Sequence, residues 1–514
     1  MSSPFSDAGN AVFPAPDACI DTVRPRDEAT LRALLRDAQT AGTPVTIGGA
    51  LTGLAGAAVP PGTGCRVDMT GLDTVPDQTG YRRITPFLLL SETDPTQGLV
   101  APGVTLQTLN DALDGLDLWY PPHPGEWRAT LGGNVAANAS GPRTFSFGST
   151  REYVTSLRIV LADGDMLTLR RGTQYAAGRR FSLTTESGRL IEGALPEYLP
   201  PRVKNAAGLF VEPDMDLIDL FIGSEGILGT FTTIGLRFLP RRAIRSDLFF
   251  FTTPAEALAC ADVLRPLRAR AASYPDSSGD GVVSLEYFDA GALELAREAG
   301  QEVPEGANAA LEVETFADDA GSRVKITLLA ERLQCRGTLP PERVSAFRYA
   351  VPRRVAELLK QRGQPKFGTD FAVPADRFAE LYAFYEAKDA EFGSGSDRSR
   401  GDGGVRTAKW GHIGDCHLHC NFLCLDAADQ ERARAIYLKL VRKAVELGGT
   451  LSAEHGVGKK TLADESGTER PYLWYLYGEA GLRQIAAVKR AFDPKGILNP
   501  GNMVPVGLTA DGRA

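Results

Sequence analysis

Histidine is scarce in this chain, with only five in 514 residues. Long apolar runs are missing too. No stretch of about 18 apolar residues occurs, so no transmembrane helix is predicted. The N-terminus has no basic region followed by an apolar one, so no signal peptide is predicted. The sequence also lacks internal repeats and low-complexity tracts.

Cysteine and positive charge are also limited. Seven cysteines, an odd and mostly scattered set, argue against a disulfide framework and for a reducing compartment. Cys416, Cys420 and Cys424 are spaced by four, which does not match iron–sulfur runs. A net charge of −8 argues against a nucleic-acid partner. We expect a cytoplasmic protein, with peripheral attachment to the inner membrane left open.

The few histidines are clustered. Four of the five lie in Trp410–Asn421 and Ser452–Gly458, the second stretch with an adjacent carboxylate. If 417–424 is a strand, His417, His419 and Asn421 share one face, and the apolar residues and cysteines share the other. The structural alternative is a polar strand face that meets solvent or satisfies buried hydrogen bonds. His412, His419 and the Glu454-His455 pair together favour a metal-assisted active site.

The length predicts two or three domains, and the chain has a mixed α/β pattern from residue 21 onward. Asp27 is a predicted cap of a helix that runs to Ala41 and precedes a strand at 43–47. Strands are predicted at 157–161 and 166–169, with a hairpin turn between them. Arg241-Arg242 is a candidate domain boundary, and a second α/β unit follows.

Three stretches rich in glycine and small residues lie in the first 230 residues, at 47–56, 130–148 and 223–229. Glycine allows the backbone to approach a ligand closely, and successive N–H groups can bind phosphate. Neither a Rossmann fingerprint nor a P-loop is present. An extended phosphate-bearing cofactor combined with a histidine site indicates redox chemistry.

Five motifs carry a resemblance to a known family. They are LGGNVAANASG (131–141), GSEGILG (223–229), GHIGDCHLH (411–419), SAEHGVG (452–458) and DPKGILNPG (493–501). In this order they resemble the vanillyl-alcohol-oxidase/p-cresol-methylhydroxylase flavoprotein superfamily. The branch most similar to this chain is that of D-lactate dehydrogenase, glycolate oxidase and D-2-hydroxyglutarate dehydrogenase.

The resemblance implies an α+β fold. A two-subdomain FAD-binding domain of the p-cresol-methylhydroxylase (PCMH) type would span 21–242, after an N-terminal lead at 1–20. A substrate-binding α/β cap domain with an antiparallel sheet would span 243–490, and 491–514 would return to the FAD domain. FAD would be bound noncovalently, because 47–56 has no histidine; His123 is the alternative attachment point.

The resemblance also implies roles for individual residues. For FAD these are Gly48, Gly49, Ala50, Leu51, Thr52, Gly53, Gly132, Gly133, Asn134, Asn138, Gly141, Gly148, Glu225, Gly226, Gly229 and Asn499. For a divalent metal, zinc or manganese, they are His412, His419 and Glu454. His455 is the implied base, and Arg348, Lys366 and Asn421 are the implied substrate-binding residues.

Two departures from the family pattern stand out. Leu51 occupies a turn position where the family often has glycine. Cys416-His417 replaces the usual Gly-Asn and brings an extra histidine near the metal.

The expected reaction is FAD-dependent oxidation of a D-2-hydroxy acid to the 2-keto acid. Alternatives are oxidation of another alcohol, such as a sugar or sugar acid, and a flavin subunit of a larger electron-transfer complex. The electron acceptor stays open among quinone, electron-transfer flavoprotein, a cytochrome and an iron–sulfur protein. A homodimer also stays open.

Overall fold

The computed structural model describes residues 21–269, 280–394 and 406–509. Helices and strands alternate irregularly along the chain. The helices are α1 (Glu28–Ala41), α2 (Leu106–Asp114), α3 (Leu131–Ala137), α4 (Thr144–Phe147), α5 (Ile218–Phe221), α6 (Pro254–Leu264), α7 (Ala290–Glu298), α8 (Ala320–Arg332), α9 (Pro341–Arg362), α10 (Phe378–Ser394), α11 (Ala427–Glu446), α12 (Trp474–Phe492) and α13 (Val506–Thr509).

The strands in the first half of the chain form small parallel and antiparallel sheets. They are β1 (Asp21–Val23), β2 (Val45–Gly48), β3 (Cys65–Asp68), β4 (Tyr81–Thr85), β5 (Leu88–Ser91), β6 (Gln97–Val100), β7 (Leu118–Trp119), β8 (Val154–Val160), β9 (Met166–Arg170), β10 (Arg180–Thr184), β11 (Leu190–Ala194), β12 (Thr230–Arg237) and β13 (Leu239–Pro240).

The remaining strands belong to the second half. They are β14 (Ile244–Phe251), β15 (Val282–Asp289), β16 (Ala309–Phe316), β17 (Gly337–Leu339), β18 (Phe367–Gly368), β19 (Phe371–Ala372), β20 (Thr407–Gly411), β21 (His417–Phe422), β22 (Thr461–Ala463) and β23 (Glu469–Pro471).

Two sheets in the first half support the glycine-rich stretches. A parallel sheet has the order β1-β3-β2, and a six-stranded antiparallel sheet has the order β4-β5-β6-β12-β8-β9. The predicted start of α1 is confirmed, since Asp27 caps it by accepting a hydrogen bond from the Thr30 N–H at 2.7 Å. The predicted β8–β9 hairpin is also present.

A larger antiparallel sheet dominates the second half, with the order β17-β14-β16-β15-β20-β21-β18 and with β19 also paired to β21. It confirms the predicted α+β class with an antiparallel sheet in the cap domain. Sheet membership changes between β13, which pairs with β7, and β14. The domain limits drawn from the sequence remain predictions.

The C-terminal segment packs against the first sheet. Leu498 forms a parallel bridge with Val45, and the N–H of Val45 donates to the Ile497 carbonyl at 2.8 Å. The buried Lys489 ammonium and Asp493 carboxylate pair at 2.7 Å and fix the turn after α12. Within the described ranges, no helix is both long and apolar enough to span a membrane.

Candidate active site

One cavity of about 540 Å³ connects the glycine-rich stretches to the histidine cluster. Its wall on the first-half side includes thirteen of the sixteen residues predicted to bind the cofactor. These are Gly48, Gly49, Ala50, Leu51, Thr52, Gly53, Gly132, Gly133, Asn134, Glu225, Gly226, Gly229 and Asn499. On the other side, Lys366, His419, Glu454 and His455 line the same cavity.

The turn after β2 offers backbone donors to this cavity. The N–H groups of Ala50, Leu51, Thr52 and Gly53 donate no hydrogen bond within the described part of the chain. Leu51 adopts a left-handed φ of 57°, the conformation that glycine adopts most readily. Its departure from the family pattern therefore keeps the turn geometry at a steric cost.

Thr230, next to Gly229 on the same wall, also has an unpaired group. The buried Thr230 hydroxyl has no hydrogen-bond partner among the described residues and lies on the cavity wall. Buried polar groups are rarely left unpaired in native proteins. Unpaired N–H groups at 50–53 and an unpaired hydroxyl at Thr230, both on the cavity lining, fit an extended, phosphate-bearing ligand.

Three predicted cofactor residues lie outside the wall and have structural roles. Asn138 ends α3 in a left-handed conformation (φ 47°), and its side chain accepts a hydrogen bond from the Arg151 N–H. A Cβ on Gly141 would lie 1.9 Å from the His123 carbonyl oxygen. Gly148 has a φ of 78° beside Glu152. Backbone geometry accounts for the residue type at each of these positions.

Glu225 and Asn499 join distant parts of the chain at the cavity. The Glu225 carboxylate accepts hydrogen bonds from the Val457 N–H at 2.7 Å and the Gly458 N–H at 2.6 Å. Asn499 accepts from the Ile47 N–H at 2.6 Å and donates to the Glu225 carbonyl at 2.8 Å. Burial raises the pKa of Glu225 to about 7. These contacts attach the 452–458 loop and the C-terminal segment to the glycine-rich wall.

The histidine cluster converges on one carboxylate. The Nε2 atoms of His412 and His419 lie 3.1 and 3.2 Å from Glu454 oxygens. The Lys204 ammonium lies 2.9 Å from the same carboxylate. Burial disfavours the negative charge of Glu454. Lys204 and His412 outweigh burial and hold the pKa of Glu454 well below its usual value. Glu454 is therefore ionised.

Each histidine is oriented by a group behind it. His412 donates from Nδ1 to the Glu286 carboxylate at 2.7 Å, and His419 donates from Nδ1 to the Thr369 carbonyl at 3.1 Å. Burial opposes a charge on His412, but Glu286 outweighs burial and raises its pKa to about 9. Burial lowers the pKa of His419. Both Nε2 atoms thus face Glu454.

Asp370 orients His455. One Asp370 carboxylate oxygen lies 3.2 Å from His455 Nδ1 and accepts hydrogen bonds from the His455 N–H and the Ser452 hydroxyl. Burial opposes a charge on His455, but Asp370 outweighs burial and raises its pKa. The rings of His455 and His419 stack with centroids 5.3 Å apart. His455 is therefore held at the cavity wall beside the cluster.

His417 completes the group at the start of β21. Its side chain is fully buried, and burial lowers its pKa to about 3. The alternation predicted for this strand is present, with Leu418, Cys420 and Phe422 on the apolar face. The His417 face is buried as well, so the solvent-exposed alternative is wrong.

The predicted substrate-binding residues are placed differently from one another. Lys366 lines the cavity, and burial lowers its pKa to about 8. Arg348 on α9 instead pairs with two buried carboxylates, donating to Glu312 at 2.8 Å and lying 3.3 Å from Glu314. Asn421 is buried and donates to the His419 carbonyl at 3.1 Å. Of these three predicted residues, the structure brings only Lys366 to the cavity wall.

Sequence reasoning missed the buried partners Lys204, Glu286 and Asp370. Glu286 is an acidic residue in the middle of a mostly apolar strand, VVSLEYFD, and this is the only local signal for it. Lys204 lies in an irregular stretch, and Asp370 lies in a short loop between β18 and β19. Their roles depend on tertiary proximity.

Comparisons with known proteins agree with this arrangement. Residues 21–170 match the family model described as "FAD binding domain", and residues 268–503 match "FAD linked oxidases, C-terminal domain". The chain is 28% identical to D-lactate dehydrogenase of Archaeoglobus fulgidus, over 94% of this chain and 90% of that protein. It is 27% identical to glycolate oxidase subunit GlcD of Bacillus subtilis, over 82% of this chain and 78% of that protein.

A solved structure is similar in fold. The structure of an alkyldihydroxyacetonephosphate synthase superposes with a TM-score of 0.61 at 15% identity, covering 93% of this chain and 75% of that chain. At this identity the match bears on the fold alone. It covers both the glycine-rich half and the half with the large antiparallel sheet.

Proposed function

We propose that this chain, which belongs to the FAD-linked oxidases, oxidises a D-2-hydroxy acid to the 2-keto acid. The family membership confirms the resemblance found in the sequence, and it makes FAD the cofactor. The observation that carries the proposal is the single cavity that joins the glycine-rich wall to His419, Glu454 and His455. The names of the relatives, D-lactate dehydrogenase and glycolate oxidase, favour this substrate class.

The residues at the cavity fit FAD. The turn at 50–53 would hold the pyrophosphate through its N–H groups, and the Thr230 hydroxyl would gain a partner. When bound, FAD accepts a hydride from the substrate carbon that carries the hydroxyl. The reaction would also need a separate electron acceptor, which we leave open among quinone, electron-transfer flavoprotein, a cytochrome and an iron–sulfur protein.

His455 would take the hydroxyl proton. Asp370 holds its Nδ1 side, so Nε2, which lies 3.4 Å from a Glu454 oxygen, is the atom that would meet the substrate. The hydroxyl proton would go to this nitrogen, and the hydrogen on the carbon would leave with its bonding pair as a hydride. The O–H electron pair then becomes the second bond of C=O. The imidazole must be neutral to act, so turnover should rise with pH as His455 loses its proton.

Lys366 would bind the substrate carboxylate. Lys366 lines the cavity, whereas Arg348 does not and pairs with Glu312 and Glu314. A charge-assisted hydrogen bond from an ammonium to a carboxylate supplies both affinity and orientation. We therefore assign this role to Lys366 in place of Arg348.

His412, His419 and Glu454 would hold a divalent metal, zinc or manganese. The His419 Nδ1 donates to a carbonyl, so in the neutral ring Nε2 carries a lone pair that faces the ionised Glu454 at 3.2 Å. Two electron-rich atoms in this geometry favour a cation between them. When bound, the metal would act as a Lewis acid on the substrate hydroxyl.

The visible spectrum of the purified protein tests the proposal. Flavin bands near ~450 nm should bleach when a panel of D-2-hydroxy acids is added without oxygen. Bleaching by L-acids alone, or by sugars or other alcohols alone, would refute the substrate class. Flavin bands that bleach only after a cell extract is added would support a subunit of a larger complex instead.

A further inference from the structure

His417 lies inside the cluster without a role in the proposed reaction. Its ring is completely buried. The ring centroid lies 5.1 Å from that of His412 and 4.6 Å from that of His419. It belongs to a group of four whose ligand atoms all lie within 4.8 Å of one another: His412, His417, His419 and Glu454. The ring is thus close enough to share a bound ion with them.

One nitrogen of His417 lacks a protein partner. Nδ1 has no hydrogen bond within the described residues. Nε2 lies 2.9 Å from an Asp370 oxygen, so the carboxylate is its partner and Nδ1 is the nitrogen left without one. Leaving a buried donor or acceptor unsatisfied costs folding free energy. A ligand that satisfies this ring would remove the cost.

The local backbone aims His417 at the cluster. Cys416 adopts a left-handed φ of 53°, ending the short helical turn at 413–415 just before β21. In a strand, residues two apart point to the same side, so His417 and His419 face the same way. The family pattern has Gly-Asn at positions 416 and 417, so this chain differs from it at the residue that enters the cluster.

We propose that His417 is a fourth protein ligand of the metal, giving a set of three imidazoles and one carboxylate. The inference rests on the proposed function, because it concerns the same ion. Four protein ligands fill a tetrahedral site, so the substrate can bind only if the ion accepts five or six ligands. The imidazole-rich set should also favour transition metals over Mg²⁺ or Ca²⁺.

His417→Asn is the test, because asparagine restores the family residue. Affinities of the holoenzyme for Zn²⁺ and Mn²⁺ are measured by chelator competition, and bound metal by elemental analysis. We expect both affinities to fall by at least about 10-fold, because losing even an outer partner of a metal ligand costs about 10–100-fold in metal affinity. In Co²⁺-loaded protein, the visible absorption bands should change in position and intensity when one nitrogen ligand is removed.

His123→Asn is the matched control. It replaces the one histidine outside the cluster, which is also buried and packs against Trp127. Its metal affinity and Co²⁺ spectrum should equal those of the unmodified chain. If His417→Asn also leaves both unchanged, His417 is not a ligand.

The two proposals fail in different ways. If the unmodified chain binds no metal, both the metal of the proposed function and His417 as its ligand are refuted. If the unmodified chain binds metal and His417→Asn binds it equally well, only the fourth ligand is refuted. His412→Ala removes one of the three ligands of the proposed function. If the unmodified chain binds metal, this variant should bind it more weakly, whether or not His417 is a ligand.

Discussion

Replacing Asp370 by asparagine should move the pH dependence of turnover. The kcat of the unmodified enzyme should rise with pH through the pKa of His455, which Asp370 raises above its ordinary value. Asparagine keeps the shape of the side chain. Its carbonyl oxygen can accept the bonds from the His455 N–H and the Ser452 hydroxyl, and its NH₂ group can face His417.

The size of the change follows from one distance. Asp370 lies 3.2 Å from His455 Nδ1, where opposite charges attract by about 5 kcal/mol at an effective dielectric constant of about 20. This value is an upper limit. In proteins, an opposite charge nearby typically shifts the pKa of a titratable group by about 1–3 units. We expect the rising limb of kcat to move to lower pH by about 1–3 units, equivalent to about 1.4–4 kcal/mol.

The assay is steady-state turnover from acid to alkaline pH, with FAD and metal content measured in each preparation. Ser452→Ala is the control, because it removes a hydrogen bond to the same oxygen and leaves the charge of Asp370 in place. Its limb should stay near that of the unmodified enzyme. A limb that stays in place, or moves to higher pH, in Asp370→Asn would show that His455 is not the base that Asp370 tunes.

Three further changes probe other parts of the site. Gly49→Ala should reduce FAD content, because its Cβ would lie 2.1 Å from Thr130 Oγ1; Gly115→Ala, whose Cβ meets nothing nearer than 3.9 Å, should bind FAD normally, and equal content in both would contradict the prediction. Glu225→Gln should lower the free energy of unfolding by about 1–3 kcal/mol in denaturant titration, because the Val457 and Gly458 N–H groups lose a carboxylate acceptor. Lys366→Met should raise KM for the hydroxy acid with little effect on FAD content. In the unmodified enzyme KM should rise above pH about 8, where Lys366 loses its charge; a KM independent of both changes would contradict this role.

The sequence predicted the histidine cluster because its signals are local. His412 and His419 lie on one hairpin, β20–β21, and Glu454 and His455 are adjacent in the chain. The glycine-rich stretches were likewise identified from local composition. Most residues of the wall that they form were therefore predictable, except that Asn138, Gly141 and Gly148 have backbone roles instead.

The sequence could not predict which charges cancel one another. Arg348 resembles a substrate-binding arginine, but Glu312 and Glu314 occupy alternate positions of β16 and thus point to the same side. These two glutamates pair with the Arg348 guanidinium, and Arg143 lies 2.9 Å from Glu314. The charge of Arg348 is therefore taken up inside the protein. Two glutamates spaced by two in an apolar strand were the available signal, but their partner was not visible in the sequence.

The bridge between Val45 and Leu498 has a consequence for biosynthesis. A ribosome makes residue 45 early and residue 498 more than 450 residues later, and contacts across such a separation close slowly. Asn499 bonds to Ile47 at the entrance to the cofactor turn, so this wall of the cavity is incomplete until the late segment arrives. A nascent chain should therefore acquire its flavin only after synthesis has passed this point, and stalled chains that end before it should accumulate without the cofactor.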